Sequence, residues 1–221
     1  MSSTLGRGVY TIPEAARLTG LRPARVREWF RKRPPQAGRR PVFVSDYPPV
    51  AGEVAISFFD LVDVYVAGQL RQHGVSMQNV RRVYKCLAAD LDVKHPFCHQ
   101  RLLTAGKTVL LSGLDEHGRE ELVEVLSRQK VFPEIIEPFL HRIDYDKFQL
   151  MARRWRIAEQ VVVDPGLCFG KPVVEAAGMP TAILAAAYGA NEDDEDLVAD
   201  WYNVAATDVL AAVRFERSLA A

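Results

Sequence analysis

The stretch from Tyr10 to Arg33 restricts the fold of this chain more than any other, since it predicts two short helices joined by a tight turn. Pro13 suits the first turn of a helix, and Gly20 suits the position after its end, because glycine adopts a left-handed backbone at little cost. A second helix is predicted to begin near Pro23. Two short helices with such a turn are typical of a helix-turn-helix.

The predicted second helix has one apolar side and one basic side. At helical spacing Val26, Trp29 and Phe30 share a face and are expected to be buried. The cations left outside would contact a phosphate backbone. With the basic residues on either side of this helix, the predicted DNA-binding residues are Arg22, Arg25, Arg27, Arg31, Lys32, Arg39 and Arg40. A solvated face is the alternative, since arginine is also a good helix former.

Charge is divided unevenly along the 221 residues, although 28 Lys and Arg balance 28 Asp and Glu. Residues 1–50 hold ten Lys or Arg and three acids, a net charge of +7. Residues 157–221 hold three Lys or Arg and eleven acids, a net charge of −8. A phosphate backbone attracts the first segment and repels the last, so we predict that the N-terminal part binds a polyanion.

The segment after the first helix pair is rich in proline and glycine, which excludes a long helix between residues 34 and 52. Its residues 41–45, PVFVS, predict a short strand. The segment is either a wing that lies on the phosphate backbone or a surface linker. A second helix pair is predicted after Ser57, which forms a capping box with Asp60, and Ser76 caps the next helix.

Residues 8–90 resemble the winged helix-turn-helix DNA-binding domain of the MerR family. The resemblance is carried by YTIPEAARLTGLRPARVREWF, by the proline-rich wing and by LRQHGVSMQNVRR. It implies a head domain, residues 1–92, that binds operator DNA. The long dimerisation helix of that family does not follow, because Pro96 interrupts it and RLLTAGKTVLLS predicts a hairpin that turns at Ala105-Gly106. We therefore expect residues 93–156 to form an α/β connector and dimerisation to be arranged differently.

Residues 161–219 are similar to domain-of-unknown-function family 433, small helix-turn-helix-like domains that are common beside prokaryotic toxin genes. The matching positions are Asp164-Pro165, Gly170 to Val174, Pro180, Ile183-Leu184, Gly189 and the closing helix from Thr207 to Val213. The family's Gly-Thr-Arg after the strand is here Ala176-Ala177-Gly178, and its Tyr-Pro is Trp201-Tyr202. The arginine that would support a DNA contact of this tail is therefore missing.

The tail, residues 157–221, offers two predicted contact surfaces. Apolar strands of a hairpin arm leave edges for a second subunit, so the candidate dimer residues are Val161, Val163, Val173 and Val174. The acids from Glu192 to Asp196 open a helix and complement its dipole. They are either a solvated face or a surface for a basic partner, with Glu192, Asp193, Asp194 and Trp201 as the predicted partner-binding residues.

Other constellations favour binding over catalysis. Ala105 to Thr108 imitate the end of a P-loop, but Arg101 stands where its first glycine is required. His95, Cys98 and His99 are close in sequence but lack a fourth ligand nearby, which favours a buried cysteine with surface histidines. We expect no enzymatic activity, no metal and no cofactor. Three widely spaced cysteines, no apolar run of 18 residues and no secretory leader predict a cytoplasmic protein.

The predicted fold is mainly α with small β elements: a winged helix-turn-helix head, an α/β connector and a trihelical tail with a β-hairpin arm. Together, the head and the tail resemble the larger VapB-type antitoxins, which pair with PIN-domain ribonucleases. The resemblance implies a DNA-binding antitoxin that autoregulates a toxin-antitoxin pair and forms a homodimer or a higher assembly. The alternative is a MerR-like regulator that senses a small molecule through residues 95–160 and has no toxin partner.

Overall fold

The computed structural model describes residues 8–31, 41–102 and 137–220. Within these ranges the protein is mainly helical with two small antiparallel sheets, as predicted. The helices are α1 (Ile12–Thr19), α2 (Pro23–Phe30), α3 (Phe58–Gln72), α4 (Met77–Leu91), α5 (Thr181–Ala190), α6 (Glu195–Tyr202) and α7 (Ala206–Ala220). The strands are β1 (Val9–Tyr10), β2 (Ile56–Ser57), β3 (Ile143–Tyr145), β4 (Ala152–Ala158), β5 (Val161–Val163) and β6 (Pro172–Val174).

The predicted hairpin at Ala105-Gly106 lies outside the described residues, as do Lys32, Arg39 and Arg40. Where the description resumes, residues 137–140 are helical. Among the described helices, none is both long enough and apolar enough to cross a membrane.

Helices α1 and α2 form the predicted pair. Thr11 caps α1 through a reciprocal capping box with Glu14, in which each side chain accepts the backbone N–H of the other residue. After Thr19 the chain turns at Gly20, whose φ of 68° lies in the left-handed region. Helix α2 then begins at Pro23, so the predicted turn chemistry is confirmed.

Helices α3 and α4 form a second pair with the predicted caps. Ser57 and Asp60 make a complete capping box at the start of α3, with both N–H to oxygen distances at 3.0 Å. Ser76 accepts the N–H of Asn79 at the start of α4. Because β1 pairs with β2 in antiparallel register, the start of α1 is tied to the start of α3.

The wing segment, which we define as residues 41–54, is not built as predicted. PVFVS forms no strand: the N–H groups of Val42 and Phe43 both donate to the carbonyl oxygen of Trp29, at 2.9 and 3.1 Å. The Phe43 ring packs against Phe30 and Tyr84, with centroid distances of 5.7 and 5.1 Å. Backbone bonds to the end of α2 and aromatic packing take the place of a cross-strand partner.

A four-stranded antiparallel sheet has the order β3-β4-β5-β6. It confirms the strands predicted in WRIAEQVVVD and the hairpin arm, since β5 pairs with β6. Trp155 of β4 packs against Tyr65 of α3 and against Phe139, with centroid distances of 4.9 and 5.7 Å. The predicted domain boundary at residue 157 falls within β4, so one sheet continues from the connector into the tail.

The tail contains three helices, α5, α6 and α7, as predicted. They bury a small apolar core of their own, to which β6 contributes Val174; the helical members of this core include Leu184, Val198, Val209 and Ala212. A second and larger core joins the head helices to the sheet and reaches Phe215 of α7.

Candidate functional site

The basic side of α2 has the predicted orientation. Val26, Trp29 and Phe30 are buried, and Trp29 exposes only 4% of its surface. The opposite side carries exposed cations because the apolar residues occupy the inward face; these cations are Arg22, Arg25, Arg27 and, at the C-cap, Arg31. Their contact with DNA stays a prediction.

The exposed arginines of α2 fall into two groups. Successive residues of a helix are rotated by about 100°, so Arg25 and Arg27 lie on opposite flanks of α2. Arg27 and Arg31 line a groove between α2 and the wing segment, and this groove does not include Arg22 or Arg25. In a helix placed in the major groove of DNA, the N-terminal residues contact base edges. This geometry favours Arg22 and Arg25 for bases, and Arg27 and Arg31 for phosphates.

Two sets of contacts hold the wing segment against the head. Besides the bonds to Trp29, the Tyr47 hydroxyl donates to the carbonyl oxygen of Gly8 at 3.1 Å. Deeper in the head, Asp46 Oδ2 accepts the Ser57 hydroxyl at 2.6 Å and Asp46 Oδ1 contacts Lys94. The segment therefore has a fixed position beside the basic helix.

His95 connects the wing segment to α3. Its Nε2 lies 3.0 Å from Asp46 Oδ1, and its Nδ1 lies 2.7 Å from Asp63 Oδ2. The Tyr84 hydroxyl donates to the same Asp63 oxygen at 2.7 Å. Asp63 is completely buried, and His95 is 4% exposed. The prediction of surface histidines is wrong here, because the exposed Asp46 and the buried Asp63, both distant in sequence, provide partners for the His95 ring.

The carboxylates and the imidazole shift one another's titration. Burial lowers the pKa of His95, but the hydrogen bonds that its ring donates to Asp46 and Asp63 outweigh burial and raise the pKa to about 10. Burial raises the pKa of Asp46, yet its bonds with His95, Lys94 and Ser57 hold that pKa well below its usual range. Burial raises the pKa of Asp60. His95 is therefore an imidazolium ion at neutral pH in this arrangement.

Cys98 lies beside that group, with its Sγ 3.8 Å from Asp63 Oδ1, whereas His99 has a separate partner. Cys98 is buried, as predicted, and its Sγ lies 3.2 Å from the carbonyl oxygen of Phe59. His99 is 7% exposed, so it is not a surface histidine either. Its Nδ1 accepts the N–H of Arg101 at 3.1 Å, and burial lowers its pKa.

The head also contacts the tail directly through β1 and the start of α1. Tyr10 is 1% exposed and donates its hydroxyl to the carbonyl oxygen of Gly170 at 2.8 Å. Lys171 forms an ion pair with Glu14 of α1. Arg17 Nη2, also on α1, lies 3.7 Å from Glu216 Oε2 on α7. Sequence spacing did not indicate this interface, because its two sides are more than 150 residues apart.

The acidic surface of the tail lies around the start of α6. Asp194 caps this helix by accepting the N–H of Leu197 at 2.9 Å, while Glu192 and Asp193 precede it with left-handed backbones. All three acids are exposed. Trp201 is 61% exposed, one helical turn after Leu197 on the same side. The predicted partner-binding residues, three acids and one exposed aromatic ring, thus lie at the same end of the tail.

The four valines predicted as dimer contacts are buried within the chain. Val161, Val163, Val173 and Val174 each expose 0% of their surface. Their side chains pack in the cores of this chain, and Val173 also forms a β-bridge to Pro180 outside β6. The backbone of β6 is also occupied on the side away from β5, since the Val174 N–H donates to Met179 and the Val174 carbonyl accepts the Gly178 N–H. Neither these side chains nor this edge is free for a second subunit, so the predicted dimer contact at the arm has no support.

Comparisons with known proteins match most of this chain. Residues 161–215 match a family model described as "Protein of unknown function (DUF433)", so the tail contains a domain of this family, as predicted. A protein of Mycobacterium tuberculosis named "Putative antitoxin VapB45" is 27% identical over 191 residues, which cover 79% of this chain and 80% of that protein. The crystal structure of Rv2018 from Mycobacterium tuberculosis matches with a TM-score of 0.71 at 25% identity, covering 92% of this chain and 96% of that one.

Proposed function

We propose that this protein is a DNA-binding antitoxin that regulates its own toxin-antitoxin pair and neutralises a PIN-type ribonuclease toxin. The proposed role is binding, not catalysis. The observation that carries the proposal is the similarity to the mycobacterial protein named as an antitoxin, because it covers 79% of this chain and 80% of that protein. The surfaces at the two ends support different partners.

The head is the proposed DNA-binding part. Its exposed arginines lie on α2, whose apolar side is buried, and this supports α2 as the recognition helix of a helix-turn-helix. In the MerR-like interpretation, the wing segment lies beside α2 and follows the phosphate backbone. Residues 1–50 carry a net charge of +7, which favours association with a polyanion.

The tail is the proposed toxin-binding part. Its net charge of −8 repels DNA and attracts a basic surface, such as the substrate-binding face of a ribonuclease. An exposed tryptophan is typical of the residues that contribute most to a protein interface, and Trp201 stands next to Asp200 on α6. We therefore propose that Trp201 enters an apolar pocket of the toxin while the acids meet its cations.

A homodimer or a higher assembly is part of the proposal. A single helix-turn-helix makes few contacts, whereas two heads joined in one assembly match a two-fold operator with much greater avidity.

Co-expression with the adjacent reading frame tests the proposal. A tag on this chain should retain a small basic protein at a fixed ratio, and the purified pair should lack ribonuclease activity that the toxin alone shows. Neutralising the acidic surface by Glu192→Gln, Asp193→Asn and Asp194→Asn should slow association with the toxin more than it speeds dissociation of the complex. If no partner is retained and a small metabolite alters DNA binding instead, the chain is a MerR-like effector-dependent regulator and the antitoxin proposal is wrong.

A further inference from the structure

The buried group around His95 has a second property besides its hydrogen bonds, which is the closeness of its donor atoms. One carboxylate oxygen each from Asp46 and Asp60 and one ring nitrogen of His95 all lie within 4.8 Å of one another. Zinc binds such nitrogen and oxygen atoms at about 2.0–2.2 Å, so ligand atoms around one ion are separated by at most about 4 Å. A shift of less than about 1 Å brings all three atoms to coordination distance.

The orientation of His95 is that of a metal-binding histidine. Its Nδ1 is 2.7 Å from Asp63 Oδ2, and the Tyr84 hydroxyl donates to the same oxygen. A ligating histidine almost always donates its other ring N–H to a carboxylate, a carbonyl or a water, which fixes the tautomer. With the Nδ1 proton held by Asp63, loss of the proton on Nε2 would leave a lone pair on the side where Asp46 lies, 3.0 Å away.

Asp60 supplies an independent observation. It is 1% exposed, and its Oδ2 accepts the backbone N–H groups of Ser57 and Asp46 at 3.0 and 3.2 Å. Its Oδ1 is buried and has no hydrogen-bond partner among the residues that the structure describes. A buried carboxylate oxygen normally has a partner, because leaving it without one costs free energy. A cation bound through Oδ1 would satisfy that oxygen.

We propose that Asp46, Asp60 and His95 bind a divalent transition-metal ion of the Zn²⁺ type, with Asp63 as the residue that orients His95. Mixed imidazole and carboxylate donors suit such ions better than Mg²⁺ or Ca²⁺, which prefer oxygen alone. The ion replaces the proton on Nε2, and that proton leaves to the solvent. The two positive charges of the ion and that of Lys94 balance the carboxylates of Asp46, Asp60 and Asp63. Without the ion, protonated His95 and Lys94 neutralise only two of these three negative charges.

The site joins three segments of the chain. Asp46 belongs to the wing segment, Asp60 lies on α3, and His95 follows α4 at the start of the connector. A bound ion therefore holds the wing segment in place beside α2. This inference does not depend on the antitoxin proposal, since it requires neither DNA nor a toxin.

Titration of the full-length protein with ZnCl₂ by isothermal calorimetry tests the proposal. The exposed thiols are removed first by Cys86→Ser and Cys168→Ser, because they would bind zinc on their own. We expect one ion per chain and the release of about one proton, measured in buffers of different ionisation enthalpy. His95→Gln should abolish this binding. Asp63→Asn should weaken it by about 10- to 100-fold.

The matched control is His99→Gln, which changes another buried histidine four residues further on and should keep the wild-type affinity. Circular dichroism establishes that each variant is folded. Co²⁺ titration of the chain with His95 intact provides a second readout, in which visible d–d bands should saturate at one equivalent. Absence of saturable Zn²⁺ or Co²⁺ binding, or wild-type affinity in folded His95→Gln protein, would show that the group is only an ion-pair network.

Discussion

The hydroxyl of Tyr10 donates a hydrogen bond to the carbonyl oxygen of Gly170 at 2.8 Å, across 160 residues of chain. Tyr10 immediately precedes the helix-turn-helix pair, and Gly170 lies in the turn that leads into β6. With the ion pair between Glu14 and Lys171, this bond fixes the first helix of the head against the tail. The two proposed binding parts are therefore physically connected.

Replacing Gly170 by alanine tests this contact. Gly170 has a φ of 81°, and a Cβ there would lie 2.3 Å from the Tyr10 hydroxyl oxygen. We expect the free energy of unfolding to fall by about 1–2 kcal/mol because alanine disfavours the left-handed backbone, and by about 1–3 kcal/mol more because the hydrogen bond is disrupted. Chemical denaturation measures the sum of the two losses. The control is Gly178→Ala, whose φ of 64° imposes the same backbone cost with no atom near the new Cβ. Equal losses in the two variants would mean that the contact contributes nothing.

The Glu14–Lys171 ion pair makes a pH-dependent contribution to the same interface. Burial raises the pKa of Glu14, but bonds from Lys171 and Thr11 outweigh it and lower the pKa below 4.5. The folded state therefore releases the Glu14 proton more readily than the unfolded state does. The stabilisation that the ion pair gives the folded state is present above about pH 4.5, and it is lost as the pH falls through the folded pKa.

Lys171→Met should move the pKa of Glu14 back towards 4.5 and reduce the acid dependence of the unfolding free energy, while leaving the Thr11 capping box intact. Carboxyl chemical shifts of Glu14 across pH 2–7 measure the pKa directly. A pKa that is the same in both proteins would contradict the ion pair.

Trp29→Ala should destabilise the protein by about 3–5 kcal/mol, because truncating a buried aromatic ring leaves a cavity beneath the basic helix. The matched control is Trp201→Ala, since Trp201 is 61% exposed and its loss should change stability by no more than about 0.5 kcal/mol. Thermal melting of the two variants side by side gives the comparison. Similar melting temperatures would mean that the inward face of α2 is assigned incorrectly.

Trp201→Ala has a second expected effect, on binding. If its ring fills a pocket on the toxin, its removal should weaken the complex by at least about 2 kcal/mol, mainly through faster dissociation. Surface plasmon resonance with the purified toxin separates the two rates. Leu210→Ala on α7 offers a comparison, because that side chain is only partly exposed and lies outside the acidic end. An unchanged dissociation rate would exclude Trp201 from the interface.

Local patterns made the helices predictable. The spacing of Val26, Trp29 and Phe30, the turn at Gly20 and the capping box of Ser57 with Asp60 each depend on residues within one or two helical turns. PVFVS was assigned incorrectly because the strongest partners of Phe43 are the carbonyl of Trp29 and three aromatic rings, none of which a strand pattern indicates.

Contacts between distant residues were not predictable in the same way. The group of Asp46, Asp60, Asp63 and His95 spans four separate positions, with no ligand spacing of the kind that identifies a metal site in sequence. The contact of Tyr10 with Gly170 has no local signal at all. The buried valines of β5 and β6 were taken for an exposed edge because alternation cannot tell which side of a strand the rest of the chain covers.

The central claim is that the head binds DNA through α2. Fluorescence anisotropy with DNA from upstream of the protein's own gene, at several salt concentrations, measures it most directly. Arg25→Ala should lose about 1–3 kcal/mol of binding free energy, at one base position. Arg27→Ala should lower the slope of log affinity against log salt concentration by about one. Arg153→Ala, an exposed arginine of the sheet, should bind as the wild type does. Wild-type affinity and salt slope in the Arg25→Ala/Arg27→Ala protein would contradict the claim.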